Sequence, residues 1–208
     1  MLGCYSVFGW FSFYSSHGRL APKTLLYTVL IYRDPLALAS SYALAKISWL
    51  LASDKQTLGD GDRLVELYIR FHRRVEGDRA KYSLEVDGGP LRDAGWRLIE
   101  KILSRALSKG WTPLQLTLNA GSSAYLLETV IFTLYNILYG GSMEVVLKRA
   151  ATQSQDSDTI AAVTGMLIAA ERGLDGLPRE LLSRLLTGLL PRRFLLVQKD
   201  LELLLGNP

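Results

Sequence analysis

The sequence predicts an all-α protein made of eight or nine helices. Apolar residues recur at helical three-and-four spacing in several segments, and turn signals separate these segments. Hydrophobic residues make up 49% of the chain and charged residues 21%, a balance that excludes extended disorder. No internal repeat is visible, so we expect a single domain over residues 1–208.

Charge and cysteine content narrow the functional classes. The 24 Lys and Arg residues against 20 Asp and Glu residues are spread along the chain, which gives nucleic-acid binding no support. The single cysteine, Cys4, allows no intrachain disulfide, so a cytoplasmic protein is expected. Residues 1–16 lack the basic leader of a signal peptide, and charges interrupt the apolar stretch 25–51, so no membrane contact is predicted.

The first half of the chain contains four predicted helices. The first begins at Pro22 or Lys23, and the second covers about residues 35–53 with Asp34 as its N-cap. The third covers about residues 62–74, and a polar link leads to the fourth at 92–109. His72, in the third helix, is expected at a solvent-facing or core-edge position.

The second half begins with residues 121–140, which predict a nearly all-round apolar helix in the middle of the bundle. Their β-branched and aromatic residues leave a strand as an open alternative. Ser142 is predicted to cap a helix over 143–152. Two further helices are predicted at 179–188 and 193–205.

The most informative stretch is 153–176, QSQDSDTIAAVTGMLIAAERGLDG, where a loop gives way to a long helix. Asp156, Asp158 and Thr159 lie at this transition. One carboxylate would suffice for helix capping, whereas two carboxylates and a hydroxyl are the hard oxygen donors that Mg²⁺, Mn²⁺ or Ca²⁺ requires. The local chemistry leaves both interpretations open. The buried face of the helix is predicted from Ile160, Val163, Thr164, Leu167 and Ile168.

Residues 156–165 followed by 173–178 resemble the closing motif of the ADP-ribosylglycohydrolase family, D-[ST]-D-T-I-A-A-[IV]-x-G with a glycine-centred turn and [IL]-P. Three shorter blocks occur in the family's order. Residues 18–22 resemble its N-G-x-x-M-R-x-A-P block, and residues 33–39 resemble T-H-x-D-P. Residues 121–134 resemble its G-Y-x-x-x-T-L-x-A-A-L helix.

The resemblance implies an orthogonal multi-helix bundle with a two-metal Mg²⁺ or Mn²⁺ site. The implied activity is hydrolysis of the glycosidic bond between ADP-ribose and an acceptor, so ADP-ribose or an ADP-ribosylated substrate is the implied ligand. By residue-to-residue match the metal ligands are Asp156, Asp158 and Thr159. The positions that the resemblance places on the substrate side are His17, Gly18, Arg33 and Tyr125, where His17 and Gly18 stand in place of the block's Asn-Gly and Tyr125 aligns loosely with the family's Tyr.

The sequence also departs from the family pattern. It contains neither the T-D-D-T segment nor the G-D-A-x-G block that complete the family's metal site, and Arg33 replaces the His of T-H-x-D-P. We therefore expect a chain truncated at its N-terminus relative to the family, with one weakly held ion and no assignable catalytic residue. The alternative function is a non-catalytic ADP-ribose-binding or protein-interaction module. A homodimer, or a second subunit that supplies the missing ligands, is left open.

Overall fold

The computed structural model describes residues 34–53, 59–76, 85–86, 89–90, 95–173, 179–180 and 183–184. A short antiparallel pair, β1 (Glu85–Val86) and β2 (Gly89–Pro90), places Glu85 opposite Pro90. The predicted all-α class is confirmed. Seven helices lie in these ranges: α1 (Pro35–Ala52), α2 (Gly61–Glu76), α3 (Gly95–Ser108), α4 (Pro113–Ala120), α5 (Leu126–Leu138), α6 (Met143–Gln153) and α7 (Ser157–Arg172).

Helices α1 and α2 form where the sequence predicts them. The Asp34 carboxylate accepts a hydrogen bond from the backbone N–H of Leu36 at 2.9 Å, which confirms Asp34 as the N-cap of α1. Four apolar residues at helical spacing on α2 are buried, as predicted. They are Leu64, Leu67, Tyr68 and Phe71.

Helix α4 is an element that the sequence analysis missed. Thr112 caps it, because the Thr112 hydroxyl accepts from the Gln115 N–H at 3.2 Å and the Gln115 side chain accepts from the Thr112 N–H at 2.8 Å. This reciprocal pair is a capping box, and Pro113 occupies the first turn. The T-P-L-Q sequence therefore contained the signal for a helix start.

Helix α5 is the central element of the core. The nine residues from 129 to 137 and Leu127 are buried, which confirms the predicted apolar helix and excludes the strand alternative. The prediction that it begins at Gly121 is wrong, because α5 begins at Leu126. Gly121 has a φ of 81°, in the left-handed region that ends helices. Residues 121–125 therefore form a loop between α4 and α5.

Helices α6 and α7 also follow the prediction. The Ser142 hydroxyl accepts from the Val145 N–H at 3.4 Å and caps α6. Helix α7 buries all five residues of its predicted face and ends at Gly173, whose φ is 60°. None of the described helices combines the length and hydrophobicity needed to cross a membrane.

The expected position of His72 is wrong. His72 is fully buried, and its Nε2 lies 3.2 Å from the hydroxyl of Ser40, so it joins α2 to α1 inside the core.

The predicted helix beginning at Pro22 or Lys23 lies outside the described residues. So do the predicted helices at 179–188 and 193–205, except that residues 179–180 and 183–184 are helical.

Replacing Thr164 with valine is expected to stabilise the protein. The Thr164 hydroxyl on α7 is buried and has no hydrogen-bond partner among the described residues. Valine has nearly the same shape without the polar atom, so we expect the free energy of unfolding to rise by about 1 kcal/mol. Urea unfolding followed by circular dichroism measures this change. A loss of stability would indicate that a buried water satisfies the hydroxyl.

Candidate functional site

The acidic motif lies at the start of α7. Asp156 occupies the N-cap position, but its side chain accepts no capping hydrogen bond from the first turn. Instead the Asp158 Oδ1 atom accepts from the backbone N–H of Thr159 at 2.9 Å. Helix capping therefore does not account for the Asp156 carboxylate, which leaves its oxygens available for another partner.

The surroundings of Asp158 favour its ionised form. The backbone N–H of Thr159 lowers the pKa of Asp158 below its ordinary value, and a hydrogen bond with the Asp156 side chain lowers it further. Asp158 is exposed and is therefore ionised at neutral pH. Ionised carboxylates are oxygen ligands of the kind that divalent cations such as Mg²⁺ prefer.

The loop between α6 and α7 is fixed to the loop between α4 and α5. The backbone carbonyl of Ser122 accepts from the N–H groups of Gln155 at 3.2 Å and Asp156 at 3.0 Å. The Ser122 hydroxyl also accepts from the Gln155 N–H at 2.9 Å. Ser122 is fully buried, so these bonds hold the segment before α7 against a part of the chain more than thirty residues earlier.

Tyr125 belongs to the loop that contains Ser122. It precedes the first turn of α5, and 41% of its surface is exposed. Helix α5 orders this loop, because Glu128 Oε2 accepts from the Ser123 N–H at 2.9 Å and the Thr129 hydroxyl donates to the Ser123 carbonyl at 3.0 Å. The structure thus brings the loop of Tyr125 next to the acidic motif, although 31 residues separate Tyr125 from Asp156 in the sequence.

The other predicted substrate-side residues are His17, Gly18 and Arg33, which lie outside the described residues. Sequence reasoning missed Thr117 and Ser122, whose hydroxyls contact the acidic loop. The only local signal was that Ser122 follows the glycine of the G-Y-x-x-x-T block.

A pocket of about 400 Å³ lies at the opposite end of the bundle. The starts of α2 and α6 and the ends of α5 and α7 line it, with Asp62, Leu138 and Arg172 among the lining residues. Because α7 contains 16 residues, Arg172 lies about 24 Å along the helix from Asp156. This pocket is therefore separate from the acidic motif.

Comparison with known proteins gives the family of the chain. The family model for ADP-ribosylglycohydrolase matches residues 19–205. The chain belongs to the ADP-ribosylglycohydrolase family. The predicted family is therefore confirmed, and the match extends over nearly the whole of the 208 residues. Comparisons with curated proteins and with solved structures give no match.

The residues of this ADP-ribosylglycohydrolase motif fit one divalent ion. Asp156 and Asp158 are separated by one residue at the start of α7, Thr159 follows directly, and the Asp156 carboxylate makes no capping hydrogen bond. Mg²⁺ keeps several water ligands and is bound through one or two carboxylates, a requirement that this set meets. In the part of the chain that the structure describes, no group of three or more His, Cys, Asp or Glu side chains could hold a metal.

Proposed function

We propose that this protein hydrolyses the glycosidic bond between ADP-ribose and an acceptor, with one Mg²⁺ or Mn²⁺ ion held by Asp156, Asp158 and Thr159. The observation that carries the proposal is the presence of two carboxylates, Asp156 and Asp158, at the start of α7, within a chain that matches the family over residues 19–205. The geometry at Asp156 supports it, because the side chain of this N-cap residue makes no capping hydrogen bond.

The residues of the motif have distinct roles in this proposal. Asp158, which the Thr159 N–H keeps ionised, can accept a hydrogen bond from a ribose hydroxyl. The exposed ring of Tyr125 offers an aromatic face on which the adenine of ADP-ribose could stack. A bound divalent ion would supply Lewis-acid polarisation of substrate oxygens while the bond breaks through an oxocarbenium-like state.

The proposal is tested by incubating the full chain with peptides that carry ADP-ribosylated arginine or serine. We expect free ADP-ribose to appear in Mg²⁺ or Mn²⁺ and to fall to the background rate when EDTA is added. Calorimetric titration with Mn²⁺ is the accompanying measurement. If no binding heat is seen at millimolar Mn²⁺, the proposed metal-assisted reaction is wrong.

A second candidate function is non-catalytic binding of ADP-ribose. It is favoured because, among the residues that the structure describes, no group of three or more His, Cys, Asp or Glu side chains could hold a metal ion. Calorimetry with ADP-ribose distinguishes the two functions. Binding of ADP-ribose without release from either peptide supports the binding module. Release that appears only after a protein carrying T-D-D-T is added supports a second subunit.

A further inference from the structure

Two hydroxyls, of the buried Ser122 and the partly buried Thr117, connect the acidic loop to the loop of Tyr125. The Thr117 hydroxyl on α4 lies 3.0 Å from the Ser122 hydroxyl and 2.7 Å from the carbonyl oxygen of Gln153. The Ser122 hydroxyl in turn lies 2.9 Å from the backbone nitrogen of Gln155. We call these two hydroxyls, with the Gln153 carbonyl and the Gln155 N–H, the hydroxyl clamp.

The direction of each hydrogen bond in the hydroxyl clamp follows from donor chemistry. A carbonyl oxygen can only accept, so the single proton of the Thr117 hydroxyl is donated to Gln153. Ser122 must therefore donate its proton to Thr117, and its lone pairs accept the Gln155 N–H. The chain of bonds begins at the last residue of α6 and ends in the loop that follows it. Removing the Thr117 hydroxyl takes this donor from the Gln153 carbonyl, and removing the Ser122 hydroxyl leaves the Gln155 N–H only its longer bond of 3.2 Å to the Ser122 carbonyl.

We propose that Thr117 and Ser122 are positioning residues for the acidic motif. Gln155 immediately precedes Asp156, and the Asp156 N–H is bonded to the Ser122 carbonyl, so the hydroxyl clamp fixes the backbone from which the first carboxylate projects. Ligand oxygens must be held within about 0.5 Å of their productive positions for tight ion binding. The expected effect on ion binding rests on the proposed function, whereas the effect on the loop backbone does not depend on it.

The decisive variant is Thr117→Val, which keeps the side-chain shape and removes the hydroxyl. We expect amide hydrogen exchange at Gln155 and Asp156 to accelerate about tenfold, and Mn²⁺ affinity measured by calorimetry to fall about tenfold. Thr117→Ser keeps the hydroxyl and should restore both values. Thr152→Val is the matched control, because the exposed Thr152 hydroxyl donates only to Lys148 within α6, at 2.7 Å. It should change neither measurement.

The two measurements separate the possible failures. Unchanged exchange at Gln155 and Asp156 in Thr117→Val overturns the hydroxyl clamp, as does equal acceleration in Thr152→Val. Accelerated exchange with unchanged Mn²⁺ affinity overturns the positioning role. If the wild-type protein binds no Mn²⁺, the proposed function fails, and exchange still decides whether the clamp holds the loop. Thermal unfolding of each variant shows whether it is folded, so that only folded proteins are compared with the wild type.

Discussion

Asp158→Asn is expected to lower Mn²⁺ affinity by at least about 100-fold, because loss of a ligand exceeds the roughly 10- to 100-fold effect of losing an outer-shell partner. Metal-dependent release of ADP-ribose should disappear with it. Asparagine keeps the size of the side chain and still offers Oδ1 to the Thr159 N–H, so the start of α7 is retained. What it removes is the negative charge that a divalent ion requires.

The matched control for this experiment is Asp62→Asn. Asp62 is also an exposed carboxylate in the first turn of a helix, but it is at the start of α2 and lines the pocket at the other end of the bundle. Calorimetry should give this variant the wild-type Mn²⁺ affinity. Equal losses in the two variants would show that the ion responds to overall charge and would contradict a site at Asp156 and Asp158.

The sequence was sufficient to predict the helices whose signals are local. Asp34 followed by Pro35 marks the start of α1, and a buried stripe beginning at Ile160 marks α7. Each signal lies within the helix that it predicts or directly before it. The capping box of α4 is local as well, so that helix was predictable from Thr112 and Gln115.

The start of α5 could not be found from periodicity. The loop before α5 reads Gly-Ser-Ser-Ala-Tyr. Its conformation is set by the positive φ of Gly121 and by the bonds of Ser122 to Gln155 and Asp156. These partners are 33 and 34 residues away in the sequence. A tertiary contact of this kind overrides the local preference, and a single sequence does not reveal it.

The same reasoning applies to the candidate site. The identity of Asp156, Asp158 and Thr159 was available from the motif, and their location at a helix start was predicted from the residues that follow. The contact between the loop of Tyr125 and the acidic loop depends on Thr117 and Ser122. Serine and threonine are common in loops for many reasons, so their residue types alone did not indicate this role.

The largest loss of stability from a single polar substitution is expected for Asn136→Ala. Asn136 is fully buried on α5, donates to the Val146 carbonyl at 2.9 Å and accepts from the Arg149 Nε at 2.8 Å. Arg149 is half-buried, and burial lowers its pKa, so its guanidinium depends on protein acceptors. One neutral and one charged hydrogen bond are lost together, which should destabilise the protein by about 3 kcal/mol.

Urea unfolding provides the measurement, and a lower midpoint at an unchanged slope is the expected result. Asn119→Ala is the control, because Asn119 is exposed and its side chain donates only to the Gln115 carbonyl within α4. Its effect on the free energy of unfolding should remain within about 0.5 kcal/mol, as for other surface substitutions.

Arg149→Met completes a double-mutant cycle with Asn136→Ala. A coupling energy near zero would show that the Asn136–Arg149 bond does not contribute to the junction of α5 and α6.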